Sequence, residues 1–204
     1  IDVVEQNGIG LVIGNQAGEG GGVALLGGSS AVIVLCEIRQ NRASYGGGLY
    51  CVASSPSISA TGFHSNEASD GGGFYCGEAS RPVLSNVVIA DNIARHDGGG
   101  CSLSRSYLEA NSLTIRNNLA RGDGGGMHLL WSGGRITDAV FADNMTPKSF
   151  GAGAGVFAMY DCSPEFVRVE FLRNSAESFG GALHFQHNCH PVFLNVSFVG
   201  NTSQ

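Results

Sequence analysis

Three aspartates stand directly before a glycine triplet: Asp70, Asp97 and Asp123. If the chain stacks them, their carboxylates lie about 5 Å apart. Carboxylates that close repel, which raises a pKa or recruits a hard cation such as Ca²⁺. The competing reading is that Asp is simply a common turn residue ahead of glycine. A second group, His184, His187, Cys189 and His190, has the residue types of a zinc or copper site. It falls on a strand and the turn after it, however, and Cys189 has a matched Cys162 in the neighbouring repeat. Neither group forms an acid/base pair or a Ser-His-Asp set that the repeat would bring together, so no catalytic residue and no cofactor is expected. The six cysteines divide in the same way. Cys162 and Cys189 occupy equivalent outward, turn-borne positions and predict a disulfide. Cys51 and Cys76 occupy equivalent inward positions and fit either a disulfide or stacked buried thiols. Cys36 and Cys101 have no matched partner and read as core thiols.

These groups must be positioned by a repeat. An Asn closes an apolar run at Asn15, Asn41, Asn66, Asn92, Asn118, Asn144, Asn174 and Asn201, at intervals of 25 to 30 residues and most often 26. A glycine cluster follows each of the first seven. Self-similarity at such a period marks a stacked architecture. Counting back from each Asn gives apolar or small residues at three, five and eight places, for example Ile115, Leu113 and Ala110. After the glycines, Val23, Leu49, Phe74, Cys101, Met127, Val156 and Leu183 begin another alternating run. Period two is the signature of strands, and no window sustains helical spacing. The chain therefore reads as all-β: a single-stranded parallel β-helix of about seven coils of about 26 residues, right-handed by chain chirality. Its Asn side chains, with both donor and acceptor, form an internal ladder. The glycines supply positive φ and close approach at the opposite bend. Residues 1–204 form one continuous segment, expected to be part of a larger chain.

The phased tetrapeptides resemble the repeats of the polymorphic outer membrane proteins, known as F-x-x-N with G-G-A-[ILV]. Literal copies are Phe63–Asn66, Phe141–Asn144, Phe171–Asn174 and Phe198–Asn201, with Gly180–Leu183 for the second motif. Elsewhere Ile or Val replaces Phe, and Gly replaces Ala. The resemblance covers nearly the whole chain. It implies a right-handed β-helix passenger of autotransporter type, at the cell surface or outside the cell, with a role in adhesion.

Composition narrows the partners. Charged residues are 14% of the chain and the net charge is −6, which argues against a nucleic-acid face. There is no apolar run near 18 residues, so no direct membrane insertion is expected in this segment. The outward row of the post-glycine strand, Tyr50, Tyr75, Ser102, His128, Phe157 and His184, is largely aromatic, and Leu130, Trp131, Met159 and Tyr160 lie beside it. Exposed together, they predict an interface for other domains or copies of the parent protein, a host or matrix protein, or a glycan. Asn195 opens the one sequon off the ladder and is a glycan acceptor in a eukaryotic secretory setting. The expected function is a non-enzymatic scaffold or adhesive segment. The alternative is a carbohydrate-active β-helix enzyme of lyase or hydrolase type. Its groove would need long turns, and only Thr146–Gly155 is long.

Overall fold

The computed structural model describes residues 3–6, 8–147 and 151–204. Three parallel sheets run the length of a solenoid, and the sheet after the glycines has seven strands in coil order. Among the described residues the one antiparallel pairing joins Val3–Gln6 to Ile9–Ile13. Like columns stack in register: Leu49, Phe74, Cys101, Met127, Val156 and Leu183 pair in succession, as do Ile58, Leu84, Ala110, Ile136 and Phe166. The core between the sheets is narrow and apolar, with Phe63, Phe74, Phe141, Phe166 and Phe171 fully buried. Phe141 and Phe171 stack at 4.9 Å between ring centres, close to the coil spacing itself.

The three expected strands per coil are present, with two differences. In the middle coils the first two merge into one bent strand, such as Tyr107–Arg116 and Gly133–Ala142. The bend is a single left-handed residue: Asn86, Ser112, Asp138 or Arg168 in successive coils. A further two-residue strand follows each ladder Asn from Asn66 on, as at Ile93–Ala94, and single bridges hold the same place after Asn15 and Asn41. The long turn expected at Thr146–Gly155 includes residues 148–150, which lie outside the described residues.

The Asn ladder is continuous from Asn15 to Asn201. Each carboxamide oxygen accepts both the backbone amide and the side-chain amide of the Asn one coil before, at 2.9–3.1 Å. From Asn41 onward, each Nδ2 also donates to the carbonyl three residues before the preceding coil's Asn, such as Ile89 for Asn118. The residue before each ladder Asn is left-handed (Gln40, Ser65, Asp91, Asn117, Asp143, Arg173), so the bend turns the backbone amides inward onto the ladder.

A second ladder occupies the corner after the post-glycine strand. Ser29, Ser54, Ser80, Ser106, Ser132, Cys162 and Cys189 form one column. Each donates its hydroxyl or thiol to a carbonyl two or three residues back. The amides of Ser29, Ser54, Ser106 and Ser132 donate to the Oγ or Sγ above them. Cys162 is therefore buried and points inward, not outward as expected. Burial pushes its thiol up to about 11.

Neither the expected Cys162–Cys189 disulfide nor the alternative Cys51–Cys76 bond forms: all six cysteines are free. The reason is geometric. Coils stacked in register hold matched side chains side by side, on strands (Cys51, Cys76) and at corners (Cys162, Cys189) alike, about 4.8 Å apart, whereas a disulfide needs Cβ atoms about 3.8 Å apart. Cys51 and Cys76 are stacked buried thiols in register. The double variant Cys162→Ser/Cys189→Ser should stay within about 1 kcal/mol of the parent, because Ser fills the same column in the preceding coils. A chemical denaturation curve with and without dithiothreitol checks this; a loss of about 2–4 kcal/mol in either comparison would indicate a cross-link.

Candidate functional site

Two neighbouring faces of the rod bring the predicted residues together, and they differ in exposure. On the first, Tyr50, Tyr75, Ser102, His128, Phe157 and His184 form the expected row. His128, Phe157 and His184 stack at 5.4 and 5.5 Å. The expectation that this row is an open patch is corrected. Phe157 and His128 are buried, Ser102 with them, and Tyr50, Tyr75 and His184 are half-buried. The cause is the turn before each glycine. Its residues Tyr45, Asp70, Asp97, Asp123, Ala152 and Phe179 form a parallel column beside the row, and Phe179 packs its ring 5.7 Å from His184.

The aspartates are therefore stacked, as the sequence suggests, but each has a structural occupation. Oδ1 of Asp70 accepts the amide of Asp97, that of Asp97 accepts the amide of Asp123, and that of Asp123 accepts the amide of Ala152. Burial pushes the Asp123 carboxyl up to about 6 and raises that of Asp70. Burial also lowers His128, against the pull of Asp97 and Asp70. Ser102 Oγ lies 3.5 Å from His128 Nδ1, a contact that sequence reasoning did not anticipate, but both side chains are enclosed. Among the described residues no group of three or more His, Cys, Asp or Glu is arranged to hold a metal ion. The residues of the proposed His/Cys site are split: His184 stacks on Phe157 and Phe179, His187 stacks on Tyr160, and Cys189 bonds to the Gln186 carbonyl.

The Asp123 burial has a measurable consequence. Between about pH 4 and 6 the folded protein holds a proton that the unfolded chain has lost, so this group makes stability rise as pH falls through that window. Above pH 6 it is ionised in both states and the folded state carries the desolvation cost. Because the carboxyl is partly open to solvent, the effect is discounted to about 1–2 kcal/mol. Asp123→Asn keeps the acceptor for Ala152 and should be more stable than the parent at pH 7, with the gain gone at pH 4. His128 and His184, held neutral by burial, act with the opposite sign, so the difference between variant and parent is the quantity to measure. A difference that does not change with pH would contradict the assignment.

The second face is open. At the corner before the Ser/Cys column, Arg105, Trp131, Tyr160 and His187 stack in consecutive coils. The Arg105 guanidinium sits 4.8 Å over the Trp131 ring, Trp131 to Tyr160 is 4.9 Å, and Tyr160 to His187 is 4.8 Å. All four are in the left-handed region, as are the corner residues of the other coils. Ala53 and Glu78 hold the same corner in earlier coils. Trp131 is 42% exposed, while Tyr160, Leu130 and Met159 are half-buried. Beyond the Ser column, Arg81 lies 5.7 Å over the ring of Tyr107. The two stacks wall a groove of about 420 Å³ whose floor is Ser80, Ser106 and Ser132. Tyr107 and Arg81 escaped the sequence reading because one opens a strand and the other precedes one, outside the alternating inward columns. Asn195, the expected glycan acceptor, is exposed at a left-handed corner, whereas Asn144 is buried in the ladder.

A family model described as a right handed beta helix region matches residues 3–144. No curated protein and no solved structure matches the chain.

Proposed function

The chain belongs to the right-handed β-helix family, and on that premise we propose that it is a rigid scaffold segment whose corner stack docks a protein or glycan partner outside the cell. One observation carries this reading: Arg105, Trp131, Tyr160 and His187 form an uninterrupted stack across four coils at the coil spacing, on an open face. Solvent-facing aromatics of that extent are characteristic of contact surfaces. The backbone beneath is fixed by two polar ladders, so the stack is presented without an ordering cost at binding. The surface setting is supported by the resemblance of the phased F-x-x-N and G-G-A-L tetrapeptides to polymorphic outer membrane repeats. Another domain or copy of the parent protein fits the same face, and the assay below includes the chain itself as a ligand.

A second reading, a carbohydrate-active enzyme, draws on the stacked aspartates and the raised Asp123 carboxyl beside His184 and Phe179. The deciding experiment is an array of glycans, matrix proteins and immobilised copies of the chain, run beside a turnover assay on acidic polysaccharides. Binding that falls at least tenfold in Trp131→Ala/Tyr160→Ala, with folding retained, supports the docking face. Turnover abolished by Asp97→Asn or Asp123→Asn would replace it with the enzyme.

A further inference from the structure

The groove beside the corner stack has a chemistry of its own. Along its outer wall the column runs Arg81, Tyr107, Gly133, Ser163, as the coil-to-coil backbone bonds show. Arg81 covers one face of Tyr107. The next residue in the column is Gly133, which has no side chain. A Cβ there would stand 3.5 Å from Tyr107 Cδ2, so the second face of the Tyr107 ring is open to the groove. Across the groove stands Arg105, over Trp131. Neither Arg81 nor Arg105 has a carboxylate within salt-bridge distance among the described residues. Arg42, Arg95, Arg135, Arg168 and Arg173 do, whereas Arg39, Arg116 and Arg121 elsewhere on the rod do not. The carboxylate on the groove rim, Asp161, accepts a bond from Asn188 Nδ2 at 2.6 Å. The groove thus offers an aromatic face of ring size and two guanidiniums, neither in a salt bridge, against one lining carboxylate, Asp161, on a protein of net charge −6.

We infer that this groove binds a carboxylate-bearing sugar, its ring stacked on the open face of Tyr107 above Gly133 and its acid group on Arg105. The pairing follows from the chemistry of each part. Sugar rings pack their C–H faces on aromatics, and a planar guanidinium recognises a carboxylate with two parallel hydrogen bonds. A bare anion would use the arginines and ignore the ring; a neutral sugar would do the reverse. This inference rests on the docking-face reading and names its ligand class.

The test is titration calorimetry of the whole chain with an oligogalacturonate, a sialylated oligosaccharide, a neutral galactose oligomer and dextran sulfate. Saturable binding of one or both carboxylate sugars is expected, and which of the two identifies the source of the acid. The neutral oligomer should bind at least tenfold more weakly. Arg105→Gln and Tyr107→Ala should each weaken binding at least tenfold. Both sites are exposed, so melting temperatures should stay within a few degrees of the parent. No binding of either acidic sugar overturns the inference. So does dextran sulfate binding as well as they do, or binding unchanged in both variants. If the Trp131→Ala/Tyr160→Ala variant loses a different partner while no acidic sugar binds, the ligand assignment falls and the scaffold reading stands. If an acidic sugar binds through Arg105 and Tyr107 and is also cleaved, the ligand assignment stands and the scaffold reading falls.

Discussion

Asn118→Ala should lower the stability of the rod by about 3–5 kcal/mol. The side chain is fully buried. Its oxygen accepts the amide and the carboxamide of Asn92, and its Nδ2 donates to the Ile89 carbonyl and to Asn144 Oδ1. Truncation leaves two N–H donors on Asn92 without partners and takes one bond from the Ile89 carbonyl, which stays in the strand ladder. Asn144 Oδ1 keeps the bond from the Asn118 backbone amide. Each orphaned buried group costs about 1–3 kcal/mol, and partial relaxation brings the total below the simple sum. For a chain of this size the loss corresponds to roughly 10 °C in melting temperature. Thermal unfolding followed by circular dichroism reads it directly. A variant that melts with the parent would mean that the ladder is ornamental and that water or backbone shifts satisfy the bend.

Gly72→Ala should be more damaging still, with a cost of at least about 4 kcal/mol or failure to fold. The position is not left-handed, so the cause is contact alone. A Cβ on Gly72 would sit 2.4 Å from the Gly99 carbonyl oxygen and 2.7 Å from that of Ile93, both backbone atoms of the next coil. Neither can rotate away, and separating the coils would break the bonds on either side. Gly18→Ala is the control. Nothing lies within 4 Å of its Cβ position, and the change should be within about 0.5 kcal/mol of neutral. The contrast between two Gly→Ala changes isolates close approach from the general entropic effect of glycine, which has the same sign in both. Equal effects in the two variants would refute the steric account.

Much of the fold was legible because its signals repeat in phase. The inward columns alternate with period two, and the Asn that ends each apolar run is a polar residue where alternation predicts the core. The serine ladder was not legible. Ser54, Ser80 and Ser106 lie in polar turns, where serine is ordinary, and only the backbone shows that their hydroxyls point inward. The left-handed corners were hidden for another reason: Leu35, Ala60, Asn86, Ser112, Asp138 and Arg168 share a conformation but no residue type. For Cys162 and Cys189 the sequence placed them in register but could not give the direction of their side chains, and direction decides between a bond and a stack. Alternation put His128 and Phe157 on the outside of their strand correctly. It could not show that the aspartate turn folds over them. The open groove at Tyr107 depends on a glycine one coil away, a neighbour that only the stacking reveals.

The in-register columns also set the unit in which this molecule can change length. Removing one residue from a strand would turn every later side chain of that strand to the opposite face. Removing a whole coil, such as residues 93–118, would instead bring Asn92 into register with Asn144 and leave each column one member shorter. The interval from Asn144 to Asn174 is 30 residues where its neighbours have 26 and 27, yet the strands on either side keep their pairing. Small changes of length are thus absorbed at corners, as the 25-residue interval from Asn41 to Asn66 also shows, while a change in the number of stacked strands takes a whole turn. The reach of the rod is therefore digital, about 4.8 Å per coil, and a lineage could lengthen or shorten it by duplication without redesigning a core.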